Sequence, residues 1–182
     1  SGYPPASHAG KALANILNTF PRDELFQIGV ERLQQWSEGI LDLETRPRVA
    51  VFARVDRFDR FVSLIIFVPR DRYNTSVRER IGAMLAAAYQ GRVSAFYPYF
   101  PEGPLVRVQF IIGRQRGTTP KVEPAWLEAE IVEIIRTWQD KLAQAIATLG
   151  PSGGEALIAK YRNAFPAGYA EEIKRLRAAY AR

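Results

Sequence analysis

Apolar residues change their period several times along this chain, and each change marks an element. Phe26, Val30, Leu33, Trp36 and Ile40 recur at helical spacing and predict a helical segment over 21–45. Pro21 suits a first helical position, and Asp23 and Glu24 follow where the helix dipole favours acids. Gly29 and Gly39 weaken the pattern, so a break near Gly29 is expected. Pro47 ends the segment. Upstream, Pro4, Pro5, Ser7 and Gly10 read as a flexible leader over 1–20, with a short helix near 11–19 from Ala12, Leu13, Ile16 and Leu17.

The period then shortens. Val49, Val51, Ala53 and Val55 alternate with Ala50, Phe52 and Arg54, and 61–68 is rich in β-branched and aromatic residues, so two strands are expected. Asp56-Arg57-Phe58-Asp59 suits the tight turn between them, and Pro69 stops the second strand. Asn74, Thr75 and Ser76 offer N-caps, with Ser76 and Glu79 matching a capping box. Val77, Ile81, Met84, Leu85 and Ala88 form the following helical stripe, with Gly91 as its stop. Val93, Ala95 and Tyr97 begin a third strand. Val106, Val108, Phe110 and Ile112 alternate with Arg107 and Gln109 in a fourth, which reads as one buried and one wet face. Leu127, Ile131, Ile134, Ile135, Trp138, Leu142, Ile146 and Leu149 predict one long helix from Pro124 to about 149. Two shorter helices are expected over 153–164 and 167–181.

The order is α, ββα, ββα, then α–α. It predicts an α+β fold: a four-stranded antiparallel sheet with helices on one face, ferredoxin-like or a rearrangement of that layout, plus flanking N- and C-terminal helices. The expected domain spans 46–150, with a C-terminal helical extension over 151–182.

Composition removes several kinds of chemistry. The 182 residues include no cysteine, which excludes disulfides, thiol nucleophiles and Cys-type metal sites, and His8 is the only histidine. No apolar run approaches the ~20 residues of a membrane span. Ser1-Gly2 in place of an initiator methionine reads as a tag scar, and the chain as an excised piece of a longer protein. The net charge of +6 is uneven: residues 46–121 hold 14 Lys and Arg against 5 Asp and Glu, and the flanks 11 against 14. Such a basic centre fits either an acidic partner or nucleic acid.

Candidate sites are sparse. None of the 13 glycines falls in G-x-G-x-x-G, and no phosphate-loop pattern surrounds Gly10-Lys11. The acid pairs Asp23/Glu24 and Glu171/Glu172 sit at expected helix starts, where dipoles explain them. Arg54, Arg60, Arg70, Asp71, Arg72 and Arg107 form the candidate docking or effector surface, and no catalytic, cofactor or metal residue is assigned. Phe52, Phe67, Phe96, Tyr97, Tyr99 and Phe110 among arginines leave a basic RNA-binding sheet module as the alternative reading.

Residues 54–75, from Arg54-Val55-Asp56 through Phe61-Val62-Ser63 to Val68-Pro69-Arg70-Asp71-Arg72-Tyr73-Asn74-Thr75, resemble the N-terminal regulatory region of the large bacterial NAD-specific glutamate dehydrogenases. Phe20-Pro21-Arg22-Asp23-Glu24-Leu25-Phe26-Gln27, Arg78-Glu79-Arg80-Ile81, Arg136-Thr137-Trp138 and Tyr161-Arg162-Asn163-Ala164-Phe165-Pro166-Ala167 extend the likeness over about 19–171. Asp59 departs from it, standing where the family usually has a turn glycine. The resemblance implies an ACT-like, non-catalytic regulatory or assembly domain in a cytoplasmic enzyme. That enzyme converts glutamate to 2-oxoglutarate and ammonia with NAD bound elsewhere. Its implied partners are the other domains of the parent, further copies in a homo-oligomer and an amino-acid effector; no membrane is expected, and nucleic acid belongs only to the alternative reading.

Overall fold

The computed structural model describes residues 4, 6–115, 117–137 and 140. The chain divides into two units, Ser1–Ile134 and Ile135–Arg182, and the sheet lies in the first. The elements are α1 (His8–Thr19), α2 (Arg22–Leu25), α3 (Val30–Thr45), β1 (Ala50–Val55), β2 (Phe61–Pro69), a 3-10 turn (Arg70–Arg72), α4 (Thr75–Ala88), β3 (Arg92–Tyr99), β4 (Leu105–Gly113) and α5 (Pro124–Ile135). The helix expected from Pro124 to about 149 ends at Ile135, since Arg136 and Thr137 are not helical. Trp138, Leu142, Ile146 and Leu149 and the two expected C-terminal helices lie outside the described residues.

All neighbouring strands are antiparallel, in the order β1-β2-β4-β3. Moving β1 to the end of the chain would give βαββαβ with the same spatial order, so the sheet is a circularly permuted ferredoxin-like arrangement. The β1–β2 turn is tight because Asp59 adopts the left-handed conformation, φ 56°. Aspartate tolerates that region better than most side chains. The hairpin thus keeps a turn-glycine geometry without the glycine.

β2 and β4 occupy the centre, and register decides what each face carries. Val62, Leu64, Ile66 and Val68 pair across from Ile112, Phe110, Val108 and Val106. This face meets the two helices of the ββαββα unit: Val77, Ile81 and Leu85 of α4 and Leu127 and Ile131 of α5 are buried. The opposite face carries Ile65, Phe67 and Leu105, which pack with Ile16, Phe20, Trp36, Ile40 and Leu43 of the N-terminal helices. An aromatic chain crosses this second layer, Phe20–Trp36 at 6.4 Å, Trp36–Phe52 at 5.7 Å and Phe52–Phe67 at 6.1 Å between centroids.

That layer corrects the expected wet face. Arg107 and Gln109 alternate as a solvent-facing pair would, yet both are buried under helices that precede the sheet in sequence. The short helix expected near 11–19 is present and starts earlier, at His8, capped by the Ser7 side chain; with Ile16 in the core, this part of the expected flexible leader is packed against the sheet layer. Gly29 is the N-cap of α3, at the anticipated break. Gly39 weakens α3 intrinsically, but a Cβ there would lie 2.9 Å from the Phe52 ring. Close approach of helix to sheet outweighs the propensity cost.

Two local readings are also corrected. Asn74, not Ser76, caps α4, its side chain accepting from the Val77 amide at 2.9 Å. Gly91 is not the left-handed stop of α4. Gln90 takes that conformation, φ 49°, and Gly91 is small because a Cβ would meet the Gly113 carbonyl at 2.6 Å. The outer edge of β1 is blunted by α5: the Glu128 carboxylate accepts from the Val51 amide at 3.0 Å.

Ile131 of α5 is fully buried, whereas Ile134 and Ile135 are half-buried. Truncating Ile131→Ala should therefore destabilise by about 2–5 kcal/mol in chemical denaturation. Ile135→Ala should lose distinctly less; equal losses would show that the stripe is misplaced.

Candidate functional site

The polar groups worth examining lie where the N-terminal helices meet the sheet. Arg54 lies within β1 on that face and is 5% exposed. Its guanidinium donates to both carboxylate oxygens of Glu24, one through Nε and the other at 3.1 Å. A third donation reaches the Gln27 side-chain oxygen at 2.9 Å. Glu24 is 1% exposed. Bidentate geometry suits the planar guanidinium and makes the contact directional. Beside it, the Gln109 amide donates to the Ser63 hydroxyl at 3.1 Å.

Arg107, on the next strand but one, is 8% exposed. It donates to the Thr19 carbonyl at the C-terminal end of α1, where cations are favoured. Its guanidinium also lies 4.4 Å from the Tyr99 ring centroid. Burial pushes it below its ordinary pKa, partly opposed by Tyr99, although an arginine stays protonated there. Next to it opens a pocket of about 130 Å3, floored by Ile16, Ile40, Leu43, Phe67 and Leu105. Glu44 and Glu102, both exposed, stand in its wall, with Asn15 at its edge.

The remaining candidates lie elsewhere. Arg60 forms a bidentate pair with Asp56 across the hairpin turn, at 2.7 and 3.1 Å. Arg70 braces the β3–β4 turn, donating to the Gly103 carbonyl at 3.1 Å and to that of Pro101. Arg72 and Asp71 pair at 3.2 Å on the surface. The six candidates therefore do not form one patch. Arg54 and Arg107 are internal, and their docking partner is this chain's own N-terminal layer. The RNA platform is likewise broken up: Phe67 and Phe110 are buried, Phe52 packs under Trp36, and Tyr97 and Tyr99 remain exposed.

Among the described residues no group of His, Cys, Asp or Glu could hold a metal ion, and no helix is long and apolar enough to cross a membrane. Glu24 is the residue that sequence reasoning undervalued. The helix dipole accounted for it, so its partner 30 positions later went unsought. A mid-strand arginine facing an otherwise apolar row was the available signal.

Three consecutive family models match the chain. Glutamate dehydrogenase, helical motif 1 covers 1–46; Glutamate dehydrogenase, ACT2 domain covers 50–139; Glutamate dehydrogenase, helical motif 2 covers 145–180. The chain belongs to the glutamate dehydrogenase family. The NAD-specific glutamate dehydrogenase of Halomonas elongata is 39% identical over 182 residues, 99% of this chain and 11% of that protein. Those of Pseudomonas aeruginosa and Mycobacterium tuberculosis are 36% and 30% identical, over 95% and 92% of this chain and 11% of each protein. The chain thus spans about a ninth of the length of these glutamate dehydrogenases. In the family's terms, helical motif 1 contributes α1–α3 and the ACT2 domain contributes the sheet, so the Arg54–Glu24 pair and the pocket both join the two motifs.

Two outcomes follow from these contacts. Glu24→Ala leaves the Arg54 charge buried without its carboxylate and should cost about 3–5 kcal/mol. The double replacement Glu24→Leu with Arg54→Met should recover much of that loss; a purely additive cycle would show that the pair is not coupled. The second concerns acid. Hydrogen bonds from Arg60 hold the Asp56 carboxyl at about 2 instead of 3.8. A depressed folded pKa contributes stability that is complete above about pH 4 and lost as pH falls through about 2. Because the Arg60 side chain is 65% exposed, screening limits this to about 1 kcal/mol. The stability gap between the protein and Asp56→Asn should narrow over that window and stay flat from pH 5 to 8.

Proposed function

We propose that this chain is a non-catalytic regulatory and assembly module of an NAD-specific glutamate dehydrogenase. The observation that carries the reading is the buried Arg54–Glu24–Gln27 cluster. It locks helical motif 1 onto the ACT2 sheet, so a displacement of either is felt by the other. In the parent, glutamate is oxidatively deaminated to 2-oxoglutarate and ammonia while NAD, bound elsewhere, is reduced. The name shared by the relatives supports that chemistry, and the missing dinucleotide fingerprint supports placing NAD outside this segment. The module's partners are the parent's other domains, within a cytoplasmic homo-oligomer. Arg60, Arg70, Asp71 and Arg72 are its proposed docking contacts, and an amino-acid effector is the ligand class implied by the ACT likeness. Such contacts set orientation more than raw affinity.

The test is a fluorescence titration of the chain with NADH. No saturable binding is expected; a Kd of ~10 μM or tighter, worth ~7 kcal/mol, requires a built site and overturns the reading. In the full-length parent, Asp71→Arg should alter assembly or effector response and leave the KM for glutamate unchanged. Unaltered assembly and response would remove Asp71 from the docking surface.

A further inference from the structure

Arg107, which lines the pocket together with Glu44 and Glu102, lacks a carboxylate at ion-pair distance among the described residues. A guanidinium presents five N–H donors. Here one amino group donates to the Thr19 carbonyl and one face lies over Tyr99, and among the described residues no carboxylate pairs with it. Its neighbour on the same face, Arg54, shows what full compensation looks like in this fold: a bidentate carboxylate and an amide oxygen. A buried charge that lacks such partners is costly. The floor offers only hydrocarbon, from Ile16, Ile40, Leu43, Phe67 and Leu105. A volume of about 130 Å3 has room for a chain of about four carbons beside a carboxylate.

We propose that this pocket binds a small monocarboxylate with an apolar body, its carboxylate on Arg107 and its hydrocarbon on the floor between α1, α3 and the sheet. The wall refines the choice. Glu44 and Glu102 disfavour a second negative charge, so dicarboxylates such as glutamate and 2-oxoglutarate bind more weakly, and leucine tests whether these acids hold an ammonium group. Arg70 is a positioning residue: it fixes the turn that carries Pro101, Glu102 and Pro104 into the wall. The site stands on this chain's own geometry and is independent of the module reading.

The experiment is calorimetric titration of the 182-residue chain with 3-methylbutanoate, leucine and glutarate. We expect 1:1 binding of 3-methylbutanoate with a Kd of about 1 mM, and glutarate at least tenfold weaker. Leucine distinguishes the sources of the same chemistry. Tighter than 3-methylbutanoate, it identifies an amino acid held by the wall acids; weaker, an unsubstituted acid. Arg107→Met should weaken binding at least tenfold. Because that variant could also perturb the fold, Asn15→Trp at the exposed edge serves as a second block and should abolish binding with the thermal midpoint unchanged. Absence of saturable binding by both monocarboxylates, equal affinity for glutarate, or full binding by both variants overturns the proposal.

Discussion

Two guanidiniums on one sheet face govern what can lie over it. Arg54 and Arg107 emerge from strands whose other residues on that face are largely apolar, so the face must be covered while both cations are satisfied. A layer of hydrocarbon alone would strand them. The N-terminal helices meet the demand in two ways, with a carboxylate from α2 for Arg54 and the terminal carbonyl of α1 for Arg107. These contacts fix the position of the helices along the strands more sharply than the surrounding aliphatic packing, which is non-directional. The two solutions are unequal. A carboxylate neutralises Arg54, whereas a carbonyl leaves Arg107 with net positive charge beside an open volume.

The elements themselves were largely legible. Both hairpins, α4 and the start of α5 follow from alternation, β-branched runs and turn residues, and the α+β class follows from their order. The likeness to glutamate dehydrogenases was carried by residues 54–75, which run from the end of β1 to the first residue of α4. The permuted strand order was not readable, since sequence reports which segments are strands and not which lie side by side.

What failed did so for one physical reason: polar periodicity reports side-chain type and not solvent. Arg107 and Gln109 alternate as they would on a wet face, yet a helical layer from earlier in the chain covers them. The same cover removed Arg54 from the surface, and it packs α1, whose helical spacing was legible, into the core through Ile16 where a flexible leader was expected. Gly39 and Gly91 misled in a smaller way. Both serve close approach, to the Phe52 ring and to the Gly113 carbonyl, which no local propensity reveals.

The helical layer precedes its own sheet in the chain, and that order matters during synthesis. Ile16, Phe20, Trp36, Ile40 and Leu43 leave the ribosome before any of the surface that will bury them. Their cover is complete only when β4 ends at Gly113, several seconds later at ~5–20 residues per second. Until then the nascent chain carries an amphipathic helical segment with an unsheltered aromatic stripe, open to chaperones and to neighbouring nascent chains.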